Sequence, residues 1–368
     1  MDILLEGIMA ITWQEIVMIL IGVFLIYIAI KKEYEPMLLL PIGFGAILTN
    51  IPMSSAIGNG GFLTILYETG IKTELFPIFI FIAVGAMIDF SPLLKQPVML
   101  FFGAAAQFGI FAAMFLAAST GKFSLQESAA IGIIGAADGP TSIYVANRFA
   151  KDYFAPISVA AYSYMALVPF IQPPVIRMLT TKKERKIRMQ ADYKKQVSKK
   201  VLIAFPILIT IIAGIIAPIS VGLIGALMFG NLIRECGVLS RLSESAQKEL
   251  ANLTTLFLGI TIGSTMTAEA FLAPTTLLIM GIGLLAFVFD TAGGVLFAKF
   301  VNLFLKNKIN PMIGAAGISA FPMSARIVQR MAHKEDPQNF ILMQAVGANV
   351  AGQIGSIIAG AILLSLLS

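Results

Sequence analysis

Asp138 is the residue whose surroundings most demand a chemical explanation. It stands in Ile131-Gly-Ile-Ile-Gly-Ala-Ala-Asp-Gly-Pro-Thr-Ser-Ile-Tyr144, with no basic residue within seven positions on either side. A carboxylate inside an apolar run costs about 2.5–3.5 kcal/mol on insertion scales, so a cation, a proton or a partner side chain must compensate it. Gly139-Pro140 removes a backbone donor and breaks the helix, which frees carbonyl oxygens. Thr141 and Ser142 add hydroxyls one turn on. Carboxylate, hydroxyl and free carbonyl are the hard oxygen ligands that hard cations take. The run reads as an ion or proton site, with a structural helix break around a protonated aspartate as the alternative. A second cluster runs Asn310-Pro311-Met-Ile-Gly314-Ala-Ala-Gly317-Ile-Ser319-Ala-Phe-Pro322-Met-Ser324-Ala-Arg326. Asn310 and Ser319 offer neutral oxygens, the prolines and glycines predict unwound backbone, and Arg326 is placed to meet an anion where the apolar stretch ends. Its alternative is a helix start at Asn310-Pro311 followed by ordinary small-residue packing. Tyr162, Ser163 and Tyr164 either reach a central cavity or pack. Asp89, Glu269 and Asp290 read as caps at a membrane interface.

These residues need elements to carry them, and composition says which. Of 368 residues, 58% are hydrophobic and 12% charged, against about 45–50% and about 25% for soluble domains. That excludes a soluble enzyme, a disordered chain and a nucleic-acid-binding domain. Long continuous apolar stretches, rather than alternating ones, exclude a membrane β-barrel. The expected class is all-α: a polytopic membrane protein of about eleven transmembrane elements at about 20 residues each, some discontinuous or re-entrant. Apolar runs include 273–289 and 291–305, read as separate, and 341–366; the glycine-rich 53–74 reads as a loop. Cys236 and His333 are each the sole residue of their type, so no internal disulfide, thiolate metal site or hydrolytic triad is expected. No basic n-region precedes the first apolar run, so no cleavable signal peptide is expected.

Charge divides the chain. Residues 182–200 hold nine Lys/Arg against Glu184 and Asp192, a net +7 out of +6 for the whole, leaving −1 elsewhere. A basic segment between apolar ones marks a cytoplasmic loop and favours anionic lipid headgroups over nucleic acid. The expected organisation is an N-terminal membrane half, 1–180, carrying the Asp138 motif; a basic cytoplasmic loop, 181–200; and a C-terminal membrane half, 201–368, carrying the Asn310–Arg326 motif. Gly135-Ala-Ala-Asp-Gly-Pro140 before Arg148 is echoed by Gly314-Ala-Ala-Gly-Ile-Ser319 before Arg326. Paired interrupted segments in two halves point to a transport site. Threading from a cytoplasmic 182–200 puts the N-terminus inside, Arg148 outside and Arg326 inside, as an inverted repeat requires.

The Asp138 run resembles the β subunits of biotin-dependent, sodium-translocating decarboxylases, which serve oxaloacetate, methylmalonyl-CoA, glutaconyl-CoA and malonate systems. Gly85-Ala-Met-Ile-Asp89, Gly103-Ala-Ala-Ala-Gln-Phe-Gly, Ala160-Ala-Tyr-Ser-Tyr-Met-Ala-Leu-Val-Pro169, Ile171-Gln-Pro-Pro174 and Thr180-Thr-Lys-Lys-Glu-Arg-Lys186 fit as well. The similarity runs from about residue 35 to the end. It implies sodium as the transported ion, with Asp138, Asn310, Gly314 and Ser319 at the metal. It implies Arg326, Ser319 and Tyr164 in catalysis, with Arg326 binding carboxybiotin supplied by a separate carrier subunit. Decarboxylation then releases CO2, consumes a proton and exports sodium. The implied partners are the biotin carrier, a carboxyltransferase α subunit, a small membrane subunit and further copies of the chain, in a bacterial cytoplasmic membrane. The short N-terminus leans toward a CoA-thioester system. Without the resemblance, a sodium- or proton-coupled secondary transporter is the reading of the residues.

Overall fold

The structure, a computed structural model, describes residues 6–7, 9–33, 36–189, 197–216 and 218–368. All regular structure among the described residues is helical. The principal helices are α1 (Trp13–Lys32), α2 (Pro36–Thr49), α3 (Phe62–Ile71), α4 (Leu75–Met87), α5 (Met99–Ala106), α6 (Phe108–Ser119), α7 (Leu125–Gly132), α8 (Gly139–Phe149), α9 (Phe154–Leu179), α10 (Lys199–Ile216), α11 (Val221–Cys236), α12 (Ala251–Ser264), α13 (Pro274–Phe304), α14 (Met323–Glu335) and α15 (Leu342–Leu367). Their starts follow local chemistry. Thr12 and Glu15 form a reciprocal capping box at α1, and Ser124 with Glu127 does the same at α7. α1 is apolar on every side, yet only Met18, Gly22 and Ala29 are buried. Trp13, Leu20, Phe24 and Ile30 point outward, a surface that only lipid tolerates.

Five described helices or helix pairs are long and apolar enough to cross a membrane, and seven are if each bent pair counts as one span. The described helices thus supply five to seven full spans against the expected eleven elements. One bent pair is α3–α4, at 63°. Its first arm lies in 53–74, which is thus not all loop: the apolar Phe62-Leu-Thr-Ile-Leu66 forms a helix directly after the glycines. The other is α9, bent by 67° between Met165 and Leu167, with Pro169, Pro173 and Pro174 in its second arm. α13 corrects a second expectation. It is one helix of 31 residues, not two runs parted at Asp290. Asp290 is fully buried, and its carboxylate accepts the Ile110 N–H at 3.2 Å. The carboxyl meets the free N–H groups at the N-terminus of α6. It needs no interface, and the helix runs through.

The helices pair across the chain's midpoint in a reciprocal way. α2 packs on α12 and α4 on α11; α1 packs on α2 and α10 on α11. α9 packs on α13 and α15 on α5; α8 packs on α9 and α14 on α15. At the α4–α11 crossing, a Cβ on Gly85 would lie 1.8 Å from the Leu227 carbonyl oxygen, and one on Gly230 would lie 1.9 Å from that of Ile82. Only glycine permits that approach.

Of the basic segment, 190–196 lies outside the described residues; the part before it is clasped to the end of α14. Arg185 bonds Glu335 at 2.8 Å and the Thr180 carbonyl at 2.6 Å. Arg188 forks onto Asp336 at 2.6 and 3.1 Å. The Asn310 and Asn339 amides converge on the Arg185 and Ile187 carbonyls at 2.9–3.2 Å. The guanidiniums hold the Glu335 and Asp336 carboxyls below the usual carboxylate range. A depressed carboxyl stabilises the clasp above the unfolded-state pKa, and that contribution disappears as pH falls through the folded value. Hydrogen exchange of the 180–188 backbone is therefore expected to accelerate only below the ordinary carboxylate range. Arg185→Ala is expected to accelerate it at neutral pH by about tenfold. Unchanged exchange in that variant would show the clasp to be inert.

Candidate functional site

The two sequence clusters meet at their breaks. α7 tightens into a 3-10 turn, Ile133–Ala136, and Ala137 turns left-handed at φ 52°. Asp138 then becomes the N-cap of α8, with Pro140 in that helix's first turn. The Asp-Gly-Pro order sets this directly: proline suits the first turn, and aspartate caps it. The second break opens after the single turn Met312–Ala315 and runs irregularly to α14. The Ser319 N–H donates to the Ala136 carbonyl at 3.0 Å, so each break supplies a hydrogen-bond partner that the other lacks.

Asp138 lies at the centre, 3% exposed. Its Oδ2 accepts from the Thr141 hydroxyl at 2.7 Å, from the Ser356 hydroxyl at 2.7 Å and from the Gln353 amide at 3.2 Å. Ser319 donates to Ser356 at 2.6 Å, so the order Ser319–Ser356–Asp138 is continuous. No cationic side chain pairs with Asp138 among the described residues. A buried carboxylate held only by neutral groups retains its affinity for a cation. Beside it lies a cavity of about 570 Å³, lined by Asp138, Tyr162, Ser319, Arg326 and Gln353 and by side chains of α2, α4 and α12. Arg326, in the first turn of α14, is exposed and makes no ion pair among the described residues. A carboxyl and a guanidinium thus line one chamber without bonding to each other.

The structure brings Asp138, Ser319 and Arg326 together; Asn310, Gly314 and Tyr164 do not line the chamber. The Asn310 amide is committed to the basic segment, and its Oδ1 accepts the Met312 N–H at 3.1 Å. A Cβ on Gly314 would lie 1.9 Å from the Gly294 carbonyl oxygen, so this glycine serves the crossing with α13. The Tyr164 hydroxyl donates to the Met280 carbonyl. In this structure these three bond to the parts around the chamber and do not line it. Gln353 and Ser356 were missed. They lie in α15, within a buried polar stripe that also holds Asn349, whose amide donates to the Ile318 carbonyl at 2.6 Å. The signal was present: polar residues at i, i+4 and i+7 inside an apolar span. The Asp89 carboxylate accepts the Ser91 N–H at 2.8 Å, one residue ahead of the N-cap Phe90 of the short helix Ser91–Lys95.

Residues 14–367 match the family described as Na+-transporting oxaloacetate decarboxylase beta subunit. The chain is 47% identical to the methylmalonyl-CoA decarboxylase subunit beta of Propionigenium modestum, an alignment covering 98% of this chain and 96% of that protein. It is 48% identical to the glutaconyl-CoA decarboxylase subunit beta of Acidaminococcus fermentans, covering 98% and 96%. It is 42% identical to the oxaloacetate decarboxylase beta chain of Klebsiella pneumoniae, covering 97% and 96%.

Proposed function

Because the chain belongs to the family of beta subunits of Na+-transporting oxaloacetate decarboxylases, and is a multi-pass membrane subunit of a sodium-pumping decarboxylase, we propose that it decarboxylates carboxybiotin at Arg326 and moves sodium through the site at Asp138. The observation that carries this reading is the shared chamber: an uncompensated carboxylate and an unpaired guanidinium face one space. A guanidinium holds a carboxylate through two charge-assisted hydrogen bonds. Breaking the N–CO2 bond leaves an electron pair on the ureido nitrogen, which takes a proton as CO2 departs. Ser319, joined through Ser356 to Asp138, is suited to holding a second ion or passing that proton. Asn310, Gly314 and Tyr164 position the second break and α13. Moving one charge against ~150 mV costs about 3.5 kcal/mol, which an exergonic decarboxylation can supply.

The partners that fit this chemistry are a biotin carrier, a carboxyltransferase α subunit and a small membrane subunit, with the chain itself as a homo-oligomer in the bacterial cytoplasmic membrane. Residues 1–180 and 201–368 act as two related halves, a division supported by the reciprocal packing. The relatives named for CoA thioesters are 47% and 48% identical and the Klebsiella oxaloacetate protein 42%, which favours a CoA-thioester system. The test is CO2 release from carboxylated carrier by the purified membrane subunits without carboxyltransferase. Release that rises with sodium supports the reading; a rate indifferent to sodium counts against it.

The basic segment is expected to face the cytoplasm. With Cys236 replaced, a cysteine at Ser198 is expected to react with an impermeant thiol reagent only after the membrane is opened. Labelling in intact cells would invert the topology and place Arg326 on the side away from the carrier.

A further inference from the structure

Two tyrosines stand two residues apart on α9 and differ in how their hydroxyls are satisfied. The Tyr164 hydroxyl is spent on the Met280 carbonyl. The Tyr162 hydroxyl has no hydrogen-bond partner among the described residues, although its residue is only 2% exposed. Buried tyrosine hydroxyls ordinarily find a partner, and one left without it carries an uncompensated desolvation cost. The ring is held in a built position: a Cβ on Gly139 would lie 2.3 Å from its Cε1 and Cζ. Glycine next to Asp138 therefore makes room for this ring and sets the hydroxyl-bearing carbon beside the Asp138 turn. Tyr162 also lines the chamber that Asp138, Ser319 and Gln353 line.

We propose that the Tyr162 hydroxyl oxygen is a ligand of the cation bound at Asp138 and sets its affinity. A phenolic oxygen is a neutral, hard acceptor, of the kind that completes the shell of a small monovalent cation beside one carboxylate. The missing partner of Tyr162 is then the transported ion itself. The inference rests on the reading of Asp138 as the cation site.

Tyr162→Phe tests it, because the ring that fills the Gly139 niche stays and only the oxygen is lost. In the assembled complex, the sodium concentration giving half-maximal decarboxylation is expected to rise about tenfold, with the carrier concentration for half-saturation unchanged. Tyr27→Phe, on the outward face of α1, is expected to leave the sodium dependence unshifted. A second readout needs no turnover: the thermal midpoint gained on adding sodium chloride, compared with choline chloride, is expected to shrink in Tyr162→Phe, as mass action requires for a weakened site. Unaltered sodium dependence together with an unaltered thermal gain in Tyr162→Phe would overturn the proposal. Asp138→Asn run in parallel separates the two claims. Full activity there removes the cation site altogether, whereas an inactive Asp138→Asn beside an unshifted Tyr162→Phe removes only the tyrosine ligand.

Discussion

Asp138→Asn is expected to abolish sodium-dependent decarboxylation while the chain inserts and assembles normally. Asparagine keeps the size, and its single oxygen in the Oδ2 position still accepts from the Thr141 and Ser356 hydroxyls, while the long 3.4 Å bond from the Thr141 N–H to Oδ1 is given up. What is lost is the one formal charge at the meeting of the two breaks. Removing one partner of a buried charge pair costs about 3–5 kcal/mol, which corresponds to roughly a hundred- to several-thousand-fold in activity. Asp138→Glu retains the charge but pushes the carboxylate toward Ser356 and Gln353. Its defect is expected to be partial and to be repaired in part by more sodium. Rates measured across a sodium titration distinguish the two. Full activity of Asp138→Asn at ordinary sodium would sink the assignment of the ion site.

The second large effect is expected at Arg326. Arg326→Lys keeps the cation but loses the planar two-point fork. Losing one charge-assisted hydrogen bond to a carboxylate is worth about 1.5–3 kcal/mol, so the carrier concentration needed for half-maximal rate should rise ten- to a hundredfold or more. Its sodium dependence should stay near normal, since Arg326 makes no bond to Asp138 or Ser319. Titrating carboxylated carrier and sodium separately reads the two quantities. If Arg326→Lys shifts only the sodium dependence, the arginine belongs to the ion path and not to carboxybiotin.

Local chemistry made the first break legible. An aspartate before Gly-Pro can hardly do other than cap the helix that follows, and Asp138 does so. The second break was legible from the same residue types. Long-range partners were harder to read. Nothing local shows that Asp290 spends its carboxylate on the N-terminus of α6, so an internal helix position looked like an end. Nothing local separates Tyr162 from Tyr164, because helix rotation decides which hydroxyl meets the chamber. Asn310 and Gly314 have ligand-like types, yet the partners they meet are the basic segment and Gly294. Gln353 and Ser356 were readable as a polar stripe, but the apolar bulk of α15 masked them.

The most direct measurement uses sealed vesicles containing the assembled complex with its basic segment facing outward. Carboxylated biotin carrier is added outside, and labelled sodium and released CO2 are followed together. Sodium is expected to enter only while carboxylated carrier is consumed, in fixed proportion to CO2, and Asp138→Asn is expected to abolish the uptake. Sodium uptake driven by an imposed ion gradient without carrier, or decarboxylation at full rate with no sodium movement, would contradict this coupling.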